Sequence, residues 1–144
     1  MAKVAQRIGV AVGAAVVVVS MATPSSSAAS YVDKTVRLCT GSSSCGYGLA
    51  IDYWYKKGSN SRGVEWVYAS KDTKSNKAAY ARWLYKKPGG STHVGKGWRK
   101  AKDKGSFVET SWYAGNHKGP RFPKGTVICI HWKGSSKKAC ATLK

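Results

Sequence analysis

Residues 47–55 read YGLAIDYWY and alternate at period two. Tyr47, Leu49, Ile51, Tyr53 and Tyr55 share one face, and Gly48, Ala50, Asp52 and Trp54 share the other. Successive side chains of a strand point to opposite faces, so a segment written this way folds as a strand with an apolar side. Three more stretches repeat the pattern. GVEWVYAS (63–70) groups Val64, Trp66 and Tyr68, SFVETSWY (106–113) groups Val108, Thr110 and Trp112, and TVICIHW (126–132) groups Ile128, Ile130 and Trp132. All are rich in β-branched and aromatic residues, which suit a pleated, half-buried surface. Turn-forming clusters separate them: KKGSNSRG (56–63), AGNHKGPRFPKG (114–125) and KGSS (133–136). The expectation is a mainly β fold, a small antiparallel sandwich or barrel.

One segment permits a second reading. SNKAAYARWLYKKPGG (75–90) has a capping Ser75 or Asn76, three alanines, Lys86 and Lys87 in a last turn, and a Pro-Gly-Gly stop. Those are helix signals, so one short helix near 75–87 is an alternative. As a strand, the same segment would line up Ala79, Ala81, Trp83 and Tyr85, and its strand neighbours favour that choice. The basic stretch GKGWRKAKDKG (95–105) reads as an exposed loop or short helix.

The first 29 residues stand apart. Lys3 and Arg7 precede an unbroken apolar run at 8–19, and the small residues of PSSSAAS follow. This is the layout of a secretory signal peptide, and the run is short of the roughly 20 residues a spanning helix needs. Cleavage is expected after Ala29. That leaves one domain at 30–144, secreted and extracellular.

This expected mature segment carries 23 basic and six acidic residues, a net charge of +17. Leu, Ile, Val and Phe are scarce in it, which taken alone would suggest disorder. Six Trp and eight Tyr lie in the same segment. Each ring can bury about 150–250 Å2, enough to build an aromatic core. The four cysteines, Cys39, Cys45, Cys129 and Cys140, also fall here. An even count in a small secreted domain implies two disulfides. Cys39–Cys45 and Cys129–Cys140 are preferred among the three pairings because each closes a short local loop. No CxxC spacing supports a metal site, and no cofactor is expected.

The densest charge lies between Lys71 and Lys104. It comprises Lys71, Lys74, Lys77, Arg82, Lys86, Lys87, Lys96, Arg99, Lys100, Lys102 and Lys104, against two acids, with Trp83, Tyr85 and Trp98 interleaved. Cations attract phosphate and carboxylate groups, and exposed rings stack on bases or sugar faces. Solubility needs a net charge of only about 2–8 on a small domain. The excess points to non-enzymatic binding of an anionic polymer (wall polyphosphate, acidic polysaccharide or extracellular nucleic acid) or of an anionic membrane surface, by a monomer. Eighteen Lys against five Arg argue for loose sensing of charge density and against sequence-specific DNA readout, where bidentate Arg dominates.

Other classes remain open. A cationic, aromatic, secreted protein can act as an antibacterial or toxin-like agent on anionic membranes, or as a disulfide-rigid inhibitor of a secreted enzyme. Glu109, Arg121 and His131 occur in that order. In this they resemble small secreted bacterial ribonucleases, which implies a Glu base, an Arg on the phosphate and a His acid. The spacings are shorter than in that family, and its N-terminal helix is not evident. The favoured reading of the same residues pairs Glu109 with a nearby lysine and half-buries His131 in its strand. His93 and His117 read as loop histidines.

Overall fold

The computed structural model describes residues 30–40, 46–73 and 78–144. Ten strands and no helix occur among the described residues: β1 Tyr31–Thr40, β2 Tyr47–Lys56, β3 Ser61–Asp72, β4 Tyr80–Lys86, β5 Thr92–Lys100, β6 Lys102–Asp103, β7 Phe107–Tyr113, β8 Arg121–Pro123, β9 Val127–Trp132 and β10 Lys138–Thr142. They form two sheets. The first runs β1-β2-β3-β7-β6, with β8 also on β3, and the second runs β10-β9-β4-β5. Every pairing is antiparallel.

Both sheets contribute to one core. Leu49, Ile51, Tyr53, Val67, Ala69 and Val108 of the first sheet pack in one cluster with Ala81, Trp83, Ile128, Ile130, Trp132, Ala139 and Ala141 of the second. The alternation at 47–55, 106–113 and 126–132 therefore chose the inward face correctly. At 63–70 it did not. The β2–β3 register slips between Asp52 and Tyr53, so that Asp52 opposes Trp66 while Tyr53 opposes Val64. The extra residue, Glu65, is a bulge, and a bulge reverses the facing of everything beyond it. Val64, Val67 and Ala69 point into the core, whereas Trp66 and Tyr68 are only half-buried.

The short helix near 75–87 is corrected. Residues 80–86 are β4, paired on both sides: Leu84 opposes Val94 of β5 and Cys129 of β9. Two hydrogen-bonded neighbours outweigh the alanine propensity, and Trp83 and Leu84 are buried in consequence. The proposed caps Ser75 and Asn76 lie outside the described residues. The stretch 95–105 is corrected too, for it belongs to β5 and β6 rather than to a loop or helix. The β4–β5 turn explains how the Pro-Gly-Gly run serves a hairpin. Gly90 N–H donates to the Lys87 carbonyl at 3.0 Å, and Gly89 has φ +68°. Proline second and a left-handed glycine third is the pattern of a type II turn.

Cys129 and Cys140 form a disulfide directly across the β9–β10 pair, with Cα atoms 4.0 Å apart. The expected Cys39–Cys45 bridge involves Cys45, which lies outside the described residues, as does the expected signal peptide at 1–29.

Candidate functional site

The cation-rich segment does not form a single face. It is divided between the two sheets: Lys71 is on β3 and Lys102 on β6 of the first, whereas Arg82 and Lys86 are on β4 and Lys96, Arg99 and Lys100 on β5 of the second. Lys86 and Lys87 are exposed at the β4–β5 turn. Arg82 projects outward, its guanidinium carbon 4.5 Å from the Trp98 ring centre. Its Nε donates to Nδ1 of His131 at 3.3 Å, across the Arg82–His131 register pair. Trp98 and His131 rings lie 5.4 Å apart, so Arg82, Trp98 and His131 form one outward cluster. Trp98 remains 41% exposed, so part of its ring still faces solvent beside the Arg82 guanidinium.

The other two rings named from the sequence are structural. Trp83 is 2% exposed. Tyr85 is half-buried, with its ring 4.8 Å from Phe122 and 5.4 Å from His93. Among the remaining cations, Lys71 sits 5.8 Å from the Tyr47 ring on the first sheet. Lys96 borders a cleft with Glu65, Trp66 and Trp112. Arg99, Lys100 and Lys102 surround a hollow with Tyr68 and Glu109. Lys104 Nζ lies 3.2 Å from Glu109. Lys74 and Lys77 lie outside the described residues.

Glu109, Arg121 and His131 are held in three separate sets of contacts. Glu109 opposes Ser70 on β3, and Arg121 opposes Gly63 on the same strand. At about 3.3 Å per residue that separation is roughly 20 Å along β3. His131 belongs to the other sheet. Glu109 accepts a 2.9 Å hydrogen bond from the Tyr68 hydroxyl. That bond and the Lys104 ammonium hold its carboxyl below the usual carboxylate range. Burial, with the Glu109 hydrogen bond second, pushes the Tyr68 phenol up. Arg121 stacks on Trp54 at 4.6 Å. His131 receives Arg82 at Nδ1 and places Nε2 2.9 Å from the Ser135 carbonyl. A donor on one side and an acceptor on the other fix the tautomer with hydrogen on Nε2.

A second ring cluster went unseen in the sequence. Tyr31, Trp54 and His117 meet with centroids 4.4–5.4 Å apart. His117 Nε2 lies 2.8 Å from Asp33, and its backbone N–H donates to Glu65 at 2.8 Å. These contacts fasten the 114–120 loop to β1. His117 lies 52 residues from Glu65 and 84 from Asp33 in the chain, so no local pattern announced these contacts. The half-buried Trp66–Tyr68 pair also went unseen, because the bulge at Glu65 is not written in the alternation.

Among the described residues no group of three His, Cys, Asp or Glu side chains is placed to hold a metal ion, and no helix is long and apolar enough to cross a membrane. No family model, curated protein or solved structure matches this chain.

Proposed function

We propose that this is a secreted, non-enzymatic protein that binds anionic polymers at or outside the cell envelope. One observation carries the reading: the cationic excess is scarcely neutralised by the protein's own acids. Among the described residues there are two ion pairs, Lys104–Glu109 and His117–Asp33, and Lys104 is the one Lys or Arg in them. Opposite charges hold each other when they are needed for folding; cations left in water are available to an outside partner and create a field that recruits it.

The finer architecture belongs to the same proposal. The two sheets are the layers of a small sandwich, a second bridge joins Cys39 to Cys45, and the chain is cut after Ala29 to leave a monomer. Arg82, Lys86, Trp98, Arg99, Lys100 and Lys102 supply the working contacts. Trp83 is excluded from direct contact by its burial and serves to hold β4 in place. The test is binding of the secreted protein to inorganic polyphosphate, heparin and duplex DNA over a range of salt. Intact mass of the secreted product checks the cleavage site. Leakage from anionic vesicles in place of polymer binding would move the protein to the membrane-active class.

A further inference from the structure

The outer face of the first sheet carries a groove. Its floor is made of the two smallest side chains of β2, Gly48 and Ala50, and its volume is about 420 Å3. Arg37 of β1 stands on one side, opposite Ala50 in register. Trp66 and Tyr68 of β3 form the other side, stacked with centroids 5.5 Å apart and planes 28° from parallel. This pair is the junction of three hollows. Trp66 also lines a cleft of about 170 Å3 with Lys96 and Glu65. Tyr68 also lines a hollow of about 140 Å3 with Arg99, Lys102 and Glu109. Each of the three concavities thus joins ring surface to at least one cation.

We infer that the groove and the Tyr68 hollow are one track for an acidic polysaccharide, with sugar rings seated against Trp66 and Tyr68 and the acid groups met by Arg37, Arg99 and Lys102. The inference rests on the polyanion reading above and names its substrate class. Aromatic faces take the C–H face of a sugar, and point cations take its carboxylate or sulfate. Hydrogen-bond acceptors beside the rings favour a glycan over DNA. Two of the six acidic residues in the chain adjoin the track: Glu109 in the Tyr68 hollow and Asp52 opposite Trp66. Carboxylates repel any acid group, on a glycan or a nucleic acid alike, but they also accept hydrogen bonds from hydroxyls, which a glycan carries on every ring and a DNA strand carries almost nowhere.

The secreted full-length product is titrated with polygalacturonate, inorganic polyphosphate and single-stranded DNA in low salt. Wild type is compared with Trp66→Ala and with Ala50→Leu, which fills the groove from its floor. Both variants should lose roughly tenfold in affinity for polygalacturonate, as removal of a stacking ring does. Polyphosphate binding should stay within about twofold, since charge alone supports it. Equal losses on polygalacturonate and polyphosphate, or no loss on either, would overturn the track while leaving the polyanion reading standing. A loss confined to DNA would give the groove to nucleic acid and overturn the sugar assignment. If wild type ignores all three polymers, the polyanion reading falls and the track falls with it. Should Trp66→Ala fail to fold, Ala50→Leu and Tyr68→Ser carry the same comparison.

Discussion

Gly95 of β5 lies flat against the indole of Trp83 on β4. A Cβ at that glycine would come 2.0 Å from Cζ3 of the ring and 2.2 Å from Cε3. Trp83 is buried in the core and cannot yield, so the contact sets how closely the cation-bearing β5 approaches the rest of the sheet. It coincides with the register irregularity in the β4–β5 pairing around Trp83.

Gly95→Ala should therefore destabilise the fold by about 1–3 kcal/mol, the usual cost of overpacking. Gly97, two residues on, has nothing within 4 Å of a Cβ, and Gly97→Ala should be nearly silent. Urea unfolding of the two variants checks the pair. Equal effects would mean that the Trp83 contact does not constrain β5.

Arg62 gives a second prediction. It is 4% exposed, its guanidinium carbon is 3.9 Å from the Tyr55 ring centre, and its Nε donates to the Lys144 carbonyl at 2.6 Å. A further bond reaches the Ser59 carbonyl at 2.8 Å. Lysine cannot stack flat and donate in that fork. Arg62→Lys should cost about 2–3 kcal/mol, the worth of one charge-assisted hydrogen bond. Thermal unfolding measures it, and an unchanged midpoint would contradict the role.

The Tyr68–Glu109 bond predicts two pH effects of opposite sign. The Tyr68 hydroxyl, then Lys104, lowers the Glu109 carboxyl, so its contribution to stability is complete above the ordinary carboxylate range and is lost as pH falls through the depressed value. The Tyr68 phenol is raised, by burial first and Glu109 second. Its contribution is complete below the ordinary phenol range and is lost as pH climbs through the raised value. Glu109→Gln should flatten the acid limb of the stability profile and let Tyr68 ionise at a lower pH. Tyrosinate absorbance follows the second effect. An unshifted Tyr68 titration would show that the bond is not kept in solution.

The Cys129–Cys140 bridge spans 11 residues, for which chain entropy gives about 3 kcal/mol. Replacing both cysteines by alanine should lower stability by about 2–3 kcal/mol without unpairing β9 and β10, whose backbone register continues on either side. Denaturant unfolding with amide exchange tests both halves of this statement.

The strands at 47–55, 106–113 and 126–132 could be read from sequence because each has one uninterrupted apolar alternation, and Leu49, Val108 and Ile130 are buried as that alternation requires. The facing at 63–70 could not, since one inserted residue, Glu65, inverts it and nothing local marks the insertion. Strand β5 was hidden for another reason. THVGKGWRK holds two glycines and three cations, yet one glycine is there to admit Trp83 and the cations need only an exposed edge. Burial of Arg62 had no signal, as arginine is ordinarily exposed. Of the sequence-derived binding residues, Arg82 and Trp98 could be paired only once β4 and β5 were known to be neighbours. The Trp66–Tyr68 groove needed three strands in register before it existed at all.

The central claim is that the unpaired cations exist to meet a polyanion, and salt tests it most directly. Dissociation constants of the secreted protein for inorganic polyphosphate, measured from low to moderate ionic strength, should give a log–log slope of about −4 to −7, as expected for roughly five to eight phosphates engaged. A flat line, or no binding in dilute buffer, would contradict the account.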